Sequence, residues 1–366
     1  MKTIRFSSFM KLTTERHSSL LEKCIYLALA VGGVAVVLLG EQSSSIARPT
    51  ATHSLILAQS QTAQSFHQKG VAKFERGDDR GAIVDFTEAI RLKPDYAEAY
   101  FYRGRVRGFL KDFQLGISDF TEAIRLKPDY TEAYFYRGGF NSSLEKYQLG
   151  INDYSNVIRL KPDYAEAYLG RAASYREIGQ HRQAISDFDE AIRLGVAKPN
   201  DIEAYFARGM SSVDVRSYTQ AVSDFKQVIR LKPNSPNAYY QMGYSLTKLR
   251  LYQEAISALT EAIRLDPNHS KAFGQRGSIS AQLEDYQGAM NDYKVSAQLA
   301  KQQGNQRLYA IQMENIQDLI TAMNQPRADD EVKCYHLVIY GDRNRSYETR
   351  RMSRRECLEI GGDVTF

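Results

Sequence analysis

The segment Ala97 to Pro128, AEAYFYRGRVRGFLKDFQLGISDFTEAIRLKP, returns almost unchanged at Thr131 to Pro162 and in weaker copies on both sides. The closing prolines Pro94, Pro128 and Pro162 stand 34 residues apart, Pro199 comes three residues late, and Pro233 and Pro267 resume the period. A fixed period of this length means stacked units, each burying its apolar face against its neighbours, so no central core is needed.

Each copy reads as two helices. Counting Ala97 as position 1, the first helix carries Tyr100, Gly104 and Leu110, and the second carries Phe113, Gly116, Ile117, Phe120, Ala123, Ile124 and Leu126. Spacings of three and four give each helix one buried face and one wet face. Small residues at positions 8, 20 and 27 let the backbones approach, aromatics at 4, 17 and 24 fill the space between them, and proline at 32 stops the second helix.

In this pattern the chain resembles the tetratricopeptide repeat, whose small-residue, aromatic and proline positions it matches in seven copies beginning at Ala63, Ala97, Thr131, Ala165, Ile202, Pro236 and Ser270. It departs at position 4, which is Phe66, Tyr100, Tyr134, Tyr168, Tyr205, Tyr239 or Phe273 and never Trp. The resemblance implies an all-α, right-handed α-solenoid of seven helix pairs over residues 63–302. It also implies that the first helices line a concave face where positions 2, 5, 9 and 12 meet a protein or peptide partner. On that basis the partner-binding residues are Phe101, Tyr102, Arg105, Phe135, Tyr136, Leu169, Phe206, Met210, Tyr240 and Tyr244, with acidic edges from Glu98, Glu132, Glu166 and Glu203. An aromatic stripe at this spacing also suits a core, so these positions carry two readings. The family's clamp for a chaperone's terminal carboxylate needs Lys, Asn and Arg in successive repeats, a set this chain lacks.

One polar pair recurs. Position 7 is Arg103, Arg137, Arg171, Arg208 and Arg276, and position 23 of the same copies is Asp119, Asp153, Asp187, Asp224 and Asp292. The first copy has Lys69 with Asp85, and in the sixth both charges vanish together, as Met242 and Ala258. Joint loss is expected of a half-buried structural ion pair that can be exchanged only for an apolar pair.

Outside the repeats, residues 1–23 are basic (Lys2, Arg5, Lys11, Arg16, Lys23) and precede an uncharged run over 24–40, CIYLALAVGGVAVVLLG. This is an export signal, read either as a retained membrane anchor or as a signal core cut after Ser45, Ile46, Ala47, the anchor being slightly favoured. The charge asymmetry sends the repeats to the extracytoplasmic side of a bacterial membrane, or into the periplasm or medium after cleavage. Residues 41–62, rich in Ser, Thr, Gln and Ala, read as a flexible linker. The extra residues in Gly195 to Asn200 read as a surface loop, and 303–325 as a capping helix. Residues 327–366 read as a small α+β unit: a strand at Cys334 to Gly341, a second at Ser346 to Met352, a short helix over 353–362 opened by Ser353 and Glu356, and a third strand over 363–366. So small a unit needs a crosslink, and in an oxidising compartment Cys334 and Cys357 would supply a disulfide.

The 366 residues carry a formal charge of +5, most of it outside the repeats, so the repeat body lacks the clustered Lys and Arg of a nucleic-acid surface. The six histidines are scattered, and no metal-ligand set, phosphate loop or nucleophile elbow appears, so no enzyme, metal, cofactor or small-molecule substrate is expected. The chain therefore reads as a non-catalytic scaffold holding a protein or peptide partner in the concave groove. Two alternatives are an assembly or docking factor recognising its partner through the C-terminal unit, and an accessory subunit of an envelope enzyme or secretion machine.

Overall fold

The computed structural model describes residues 51–195, 200–324, 331–340, 344–353 and 363–365. The chain divides into two compact units, Met1–Pro233 and Asn234–Phe366. The first holds five helix pairs: α1 (Ala51–Glu75) and α2 (Asp79–Leu92), α3 (Ala97–Phe109) and α4 (Phe113–Leu126), α5 (Thr131–Ser143) and α6 (Tyr147–Leu160), α7 (Ala165–Glu177) and α8 (His181–Leu194), α9 (Asn200–Asp214) and α10 (Tyr218–Leu231). The second holds α11 (Pro236–Lys248) with α12 (Tyr252–Leu265), α13 (Ser270–Gln282) with α14 (Tyr286–Gln302), and the closing helix α15 (Gln306–Asn324).

The pairs are held by rings seated on small residues. At position 24, Phe86, Phe120, Phe225 and Tyr293 lie so close to position 8 that a Cβ on Gly70, Gly104, Gly209 or Gly277 would meet the ring at 2.8 to 2.9 Å. Copy six uses Leu259, whose Cγ would stand 2.7 Å from a Cβ on Gly243. These position-24 side chains are among the most deeply buried groups of the chain. A second notch lies between copies, where a Cβ on Gly108 would come within 2.1 Å of the buried Phe140 ring.

The turn inside each pair has one geometry throughout. Position 15 takes a left-handed conformation in all seven copies: Gly77 and Gly179, but also Lys111, Glu145, Arg216, Arg250 and Glu284. The next N–H then reaches back to the position 11 carbonyl, as from Asp112 to Arg107 at 2.8 Å and from Gln180 to Tyr175 at 2.8 Å, closing the helix C-terminus. In copy four, where the proline comes late, Gly195 ends α8 in the left-handed conformation.

The recurring carboxylates are buried and paired. Arg103 meets Asp119 at 2.8 Å, Arg137 meets Asp153 at 2.7 Å, Arg171 meets Asp187 at 2.7 Å, Arg208 meets Asp224 at 2.6 Å and Arg276 meets Asp292 at 2.8 Å. The position 4 ring lies under each of these guanidinium groups, for example Tyr100 at 5.5 Å from Arg103 and Tyr134 at 5.5 Å from Arg137. A third contact crosses to position 25 of the preceding copy: Arg103 donates to Thr87 at 3.1 Å, Arg137 to Thr121 at 3.1 Å, Arg171 to Ser155 at 3.0 Å and Arg276 to Thr260 at 3.0 Å. Arg208 finds Asp189 there instead, at 2.6 Å. One side chain thus ties its own helix pair together and links it to the copy before.

The first copy departs from the sequence expectation. Lys69 lies over the Phe66 ring at 5.1 Å, and Asp85 is held by Lys73 at 2.7 Å. Lys73 is at position 11, one turn along the same face. Position 11 also serves in other copies: Arg107 gives Asp119 a second guanidinium at 2.7 Å, and Asn141 donates to Asp153 at 3.3 Å. In copy six the same position is the buried Leu246, so all three polar positions turn apolar together.

Residues 51–62 are helical and continue into the first copy as α1, so the flexible-linker reading of 41–62 does not hold for this part, and 41–50 lie outside the described residues. No proline or glycine lies between Ala51 and Lys69, and Ala, Leu and Gln favour a helix. The 196–199 part of the expected loop lies outside the described residues. At the other end, α15 covers copy seven, where position 5 is Gly274 instead of an aromatic residue. A Cβ there would come 2.7 Å from Nε2 of the buried Gln312, so the closing helix occupies the space.

In the C-terminal segment, β1 (Glu331–Tyr340), β2 (Asn344–Ser353) and β3 (Asp363–Thr365) form an antiparallel sheet in the order β2-β1-β3. Cys334 is opposite Arg350 on one side and Val364 on the other. Ser353 belongs to β2 and pairs with Glu331, so it does not open a helix as expected. The rest of the expected helix, and Cys357 with the disulfide it would complete, lie outside the described residues.

Gly108→Ala should lower the urea midpoint, at a cost of about 1–3 kcal/mol, because the Phe140 ring is confined. Gly139→Ala, whose Cβ would meet nothing nearer than the Tyr154 hydroxyl at 3.5 Å, should be neutral or slightly stabilising. For the ion pair, Arg137→Met alone should cost about 3–5 kcal/mol by stranding Asp153, and adding Asp153→Ala should restore most of it. Independent, additive losses in that denaturation cycle would contradict the pairing as the source of the cost.

Candidate functional site

Within the first unit, α1, α3, α5 and α7 each touch the first helix of the next copy, and no comparable packing runs between second helices among the described residues. The first helices are therefore the more closely spaced, inner row, and their exposed stripe is the candidate face.

In the first four copies position 5 belongs to the core of this row. Phe101, Phe135 and Leu169 are buried, in keeping with the core reading of the two left open for this stripe. The reason is the tyrosine at position 34: Phe101 meets Tyr130 at 4.8 Å and Phe135 meets Tyr164 at 5.1 Å, with the position-24 rings Phe120 and Tyr154 just behind. Burial, reinforced by the Glu98 and Glu132 carboxylates, pushes the Tyr130 phenol far above its ordinary range. What remains half-buried is the next layer, Tyr102, Arg105 and Tyr136, and, in copy five, the position-5 Phe206 itself with Met210 on α9. Tyr102 stacks on Phe86 at 5.9 Å and Tyr136 on Phe120 at 5.9 Å, so each ring has one face on the core. In the second unit, Tyr240 and Tyr244 on α11 are half-buried, with Tyr240 beside His269 at 4.8 Å.

Arg105 lies between these rings. Its guanidinium carbon is 5.2 Å from the centre of Tyr136, 5.5 Å from Tyr102, 5.6 Å from Phe74 and 5.8 Å from Phe101. These rings come from three successive copies. Its Nε is buried without a hydrogen-bond partner. The attraction of a guanidinium to ring faces keeps it extended over the stripe, worth roughly 0.5–2 kcal/mol per well-placed ring.

His67 fills the position-5 slot of the first copy, where copies two, three and five carry Phe. It is 4% exposed, surrounded by Tyr96 at 5.0 Å, Tyr102 at 5.2 Å and Phe86 at 5.6 Å, and its Nε2 has no partner. Desolvation, opposed in part by Glu98, brings its pKa from 6.5 down to about 4.

The sequence did not reveal three of these features: the position 25 hydroxyl, the position 11 donors and the unpartnered His67. The hydroxyls had a signal, since Thr87, Thr121, Ser155 and Thr260 recur at one position. Among the described residues, no three His, Cys, Asp or Glu side chains gather as metal ligands, and no helix is long and apolar enough to cross a membrane; residues 24–40 lie outside them.

Comparison with known families agrees with this architecture. Models described as tetratricopeptide repeats match residues 70–108, 97–130, 142–202, 171–236 and 236–269. The chain carries tetratricopeptide repeats, the units of protein-interaction scaffolds. No curated protein matches its sequence. Among solved structures, YrrB, described as a TPR protein with an unusual peptide-binding site, is 22% identical and covers 53% of this chain and 97% of its own, with a TM-score of 0.48. A tetratricopeptide repeat protein from Parabacteroides merdae is 16% identical, covers 69% of this chain and 99% of its own, and has a TM-score of 0.47. MamA from Desulfovibrio magneticus is 21% identical, covering 47% and 96%, with a TM-score of 0.44.

The histidine generates a pH prediction. Its folded pKa lies below the unfolded one, so between about pH 6.5 and 4 the unfolded chain binds the proton and the folded chain does not. Its stabilising neutral form is fully effective above pH 6.5, and stability falls as pH drops through that window, by on the order of 3 kcal/mol at the bottom. His67→Phe should flatten this part of the stability profile, measured by urea melts at successive pH values. An unchanged slope would contradict the assignment.

Proposed function

We propose that this protein is a non-catalytic scaffold, exported or membrane-tethered, that holds a peptide or protein partner along the first-helix face of its repeats. The observation that carries the reading is the stripe of Tyr102, Arg105, Tyr136, Phe206 and Met210. Tyr102, Arg105 and Tyr136 remain half-buried although the position-5 groups Phe101 and Phe135 are already buried in the core, and in copy five the position-5 Phe206 is itself half-buried beside Met210. Aromatic and Arg side chains of this kind, firmly backed on one side and wet on the other, suit the anchors of a protein interface. The basic segment and apolar run of residues 1–40 support export, and a bridge between Cys334 and Cys357 would suit the compartment the repeats then reach.

The test is site-specific photo-crosslinking in the full-length protein, with the crosslinker at position 102 or 210 on the first-helix face, or at position 115 or 149 on the second helices. Leu115 and Leu149 are 53% and 51% exposed, so both faces are reachable. A discrete adduct from the first two positions, absent from the last two, is expected. Adducts from the second-helix positions alone would move the partner to the other face, and the mass of the recovered protein would show whether the apolar run is retained.

A further inference from the structure

We propose, building on the reading of the first-helix face as a partner site, that Arg105 receives a single carboxylate from an extended segment of the bound peptide. The argument starts from a contrast among the arginines of the first helices. Arg103, Arg107, Arg137, Arg171, Arg176, Arg208 and Arg276 each have a carboxylate within 3.0 Å. Arg105 has no ion pair and no hydrogen bond among the described residues, and its Nε is buried. Rings hold it from below and from the sides, and rings satisfy its charge only in part, because they accept no hydrogen bonds in the guanidinium plane. A planar fork of N–H donors held in place with its in-plane positions unfilled matches a carboxylate.

The surroundings narrow the ligand further. Glu98 and Glu132, at position 2 of α3 and α5, stand on the same row of first helices as Arg105 and make no ion pair with it among the described residues. Two fixed negative charges flanking one positive charge penalise a run of acidic residues. They favour one carboxylate with neutral or basic neighbours. The alternation of aromatic rings from α3 and α5 about the arginine suits apolar side chains on either side of that carboxylate. The carboxylate belongs either to an internal Asp or Glu or to the peptide's C-terminus, and the two sources are separable by experiment.

The probe is a displayed library of random octapeptides, in one format with free C-termini and in another with both ends blocked, selected on the full-length protein in detergent. Enrichment of one acidic position in the blocked format identifies a side-chain carboxylate, and enrichment confined to the free-end format identifies the terminus. Arg105→Met should weaken the selected peptide about 10- to 100-fold, the ordinary range for a charge-assisted hydrogen bond. Replacing the peptide carboxylate by its amide should do the same, and the two changes together should cost little more than either alone. Arg105→Lys should retain part of the affinity, and unchanged circular dichroism melts would exclude unfolding as the cause. Selected peptides with no acidic preference, or losses that simply add, would overturn the assignment to Arg105 while leaving the groove as a binding site. Failure to select any peptide in either format would overturn both.

Discussion

The spacing of every helix pair depends on one fit, a ring or branched side chain at position 24 seated in the notch left by a small residue at position 8. Phe120 over Gly104 and Tyr293 over Gly277 are instances, and in both an added Cβ would collide with the ring edge. Close-packed interiors adjust poorly to added atoms, so this contact sets how near the two backbones come. Once that distance is fixed, the other recurring contacts are fixed with it. The arginine at position 7 can reach the aspartate at 23 on its partner helix and the hydroxyl at 25 on the preceding copy, because both lie at constant positions.

The ion pairs are better understood as alignment devices than as sources of large net stability. Burial lifts the Asp153 and Asp224 carboxyls above the ordinary aspartate value even with Arg137 and Arg208 beside them. Removing such charges from water is offset only in part by pairing them. Copy six shows the permitted exchange: Met242, Leu246 and Ala258 replace the whole polar set, leaving no buried charge unpaired. The position-25 residue, a threonine or serine in four cases and Asp189 for Arg208, gives each arginine a contact outside its own copy, so the same group that holds a pair together also sets the next pair's register.

The helix pairs were legible in the sequence because small-residue, aromatic and proline positions each carry a steric meaning that survives repetition, the proline in five of the seven copies. The left-handed turn at position 15 was not, since only Gly77 and Gly179 advertise it and Lys111, Glu145, Arg216, Arg250 and Glu284 adopt it under the constraint of the flanking helices. Lys69 and Lys73 lie one turn apart on the same face, so spacing alone could not tell which reaches Asp85. Phe101 and Phe135 looked like groove residues because position 5 does face the inner row. Tyr130 and Tyr164, which cover them, come from the joint between copies, where periodicity says little about side-chain direction. Gly274 makes sense only with Gln312 in view, thirty-eight residues away in the closing helix.

The face that remains after these groups are buried is a narrow line of half-covered rings with an arginine among them, rigidly backed and chemically distinct from the exposed leucines of the second helices. Hydrogen exchange on the full-length protein, alone and with its captured partner, tests that assignment most directly. The account predicts that binding slows exchange in α3, α5 and α9 and leaves α4 and α6 unchanged. Slowing confined to the second helices, or to the strands beyond Glu331, would contradict it.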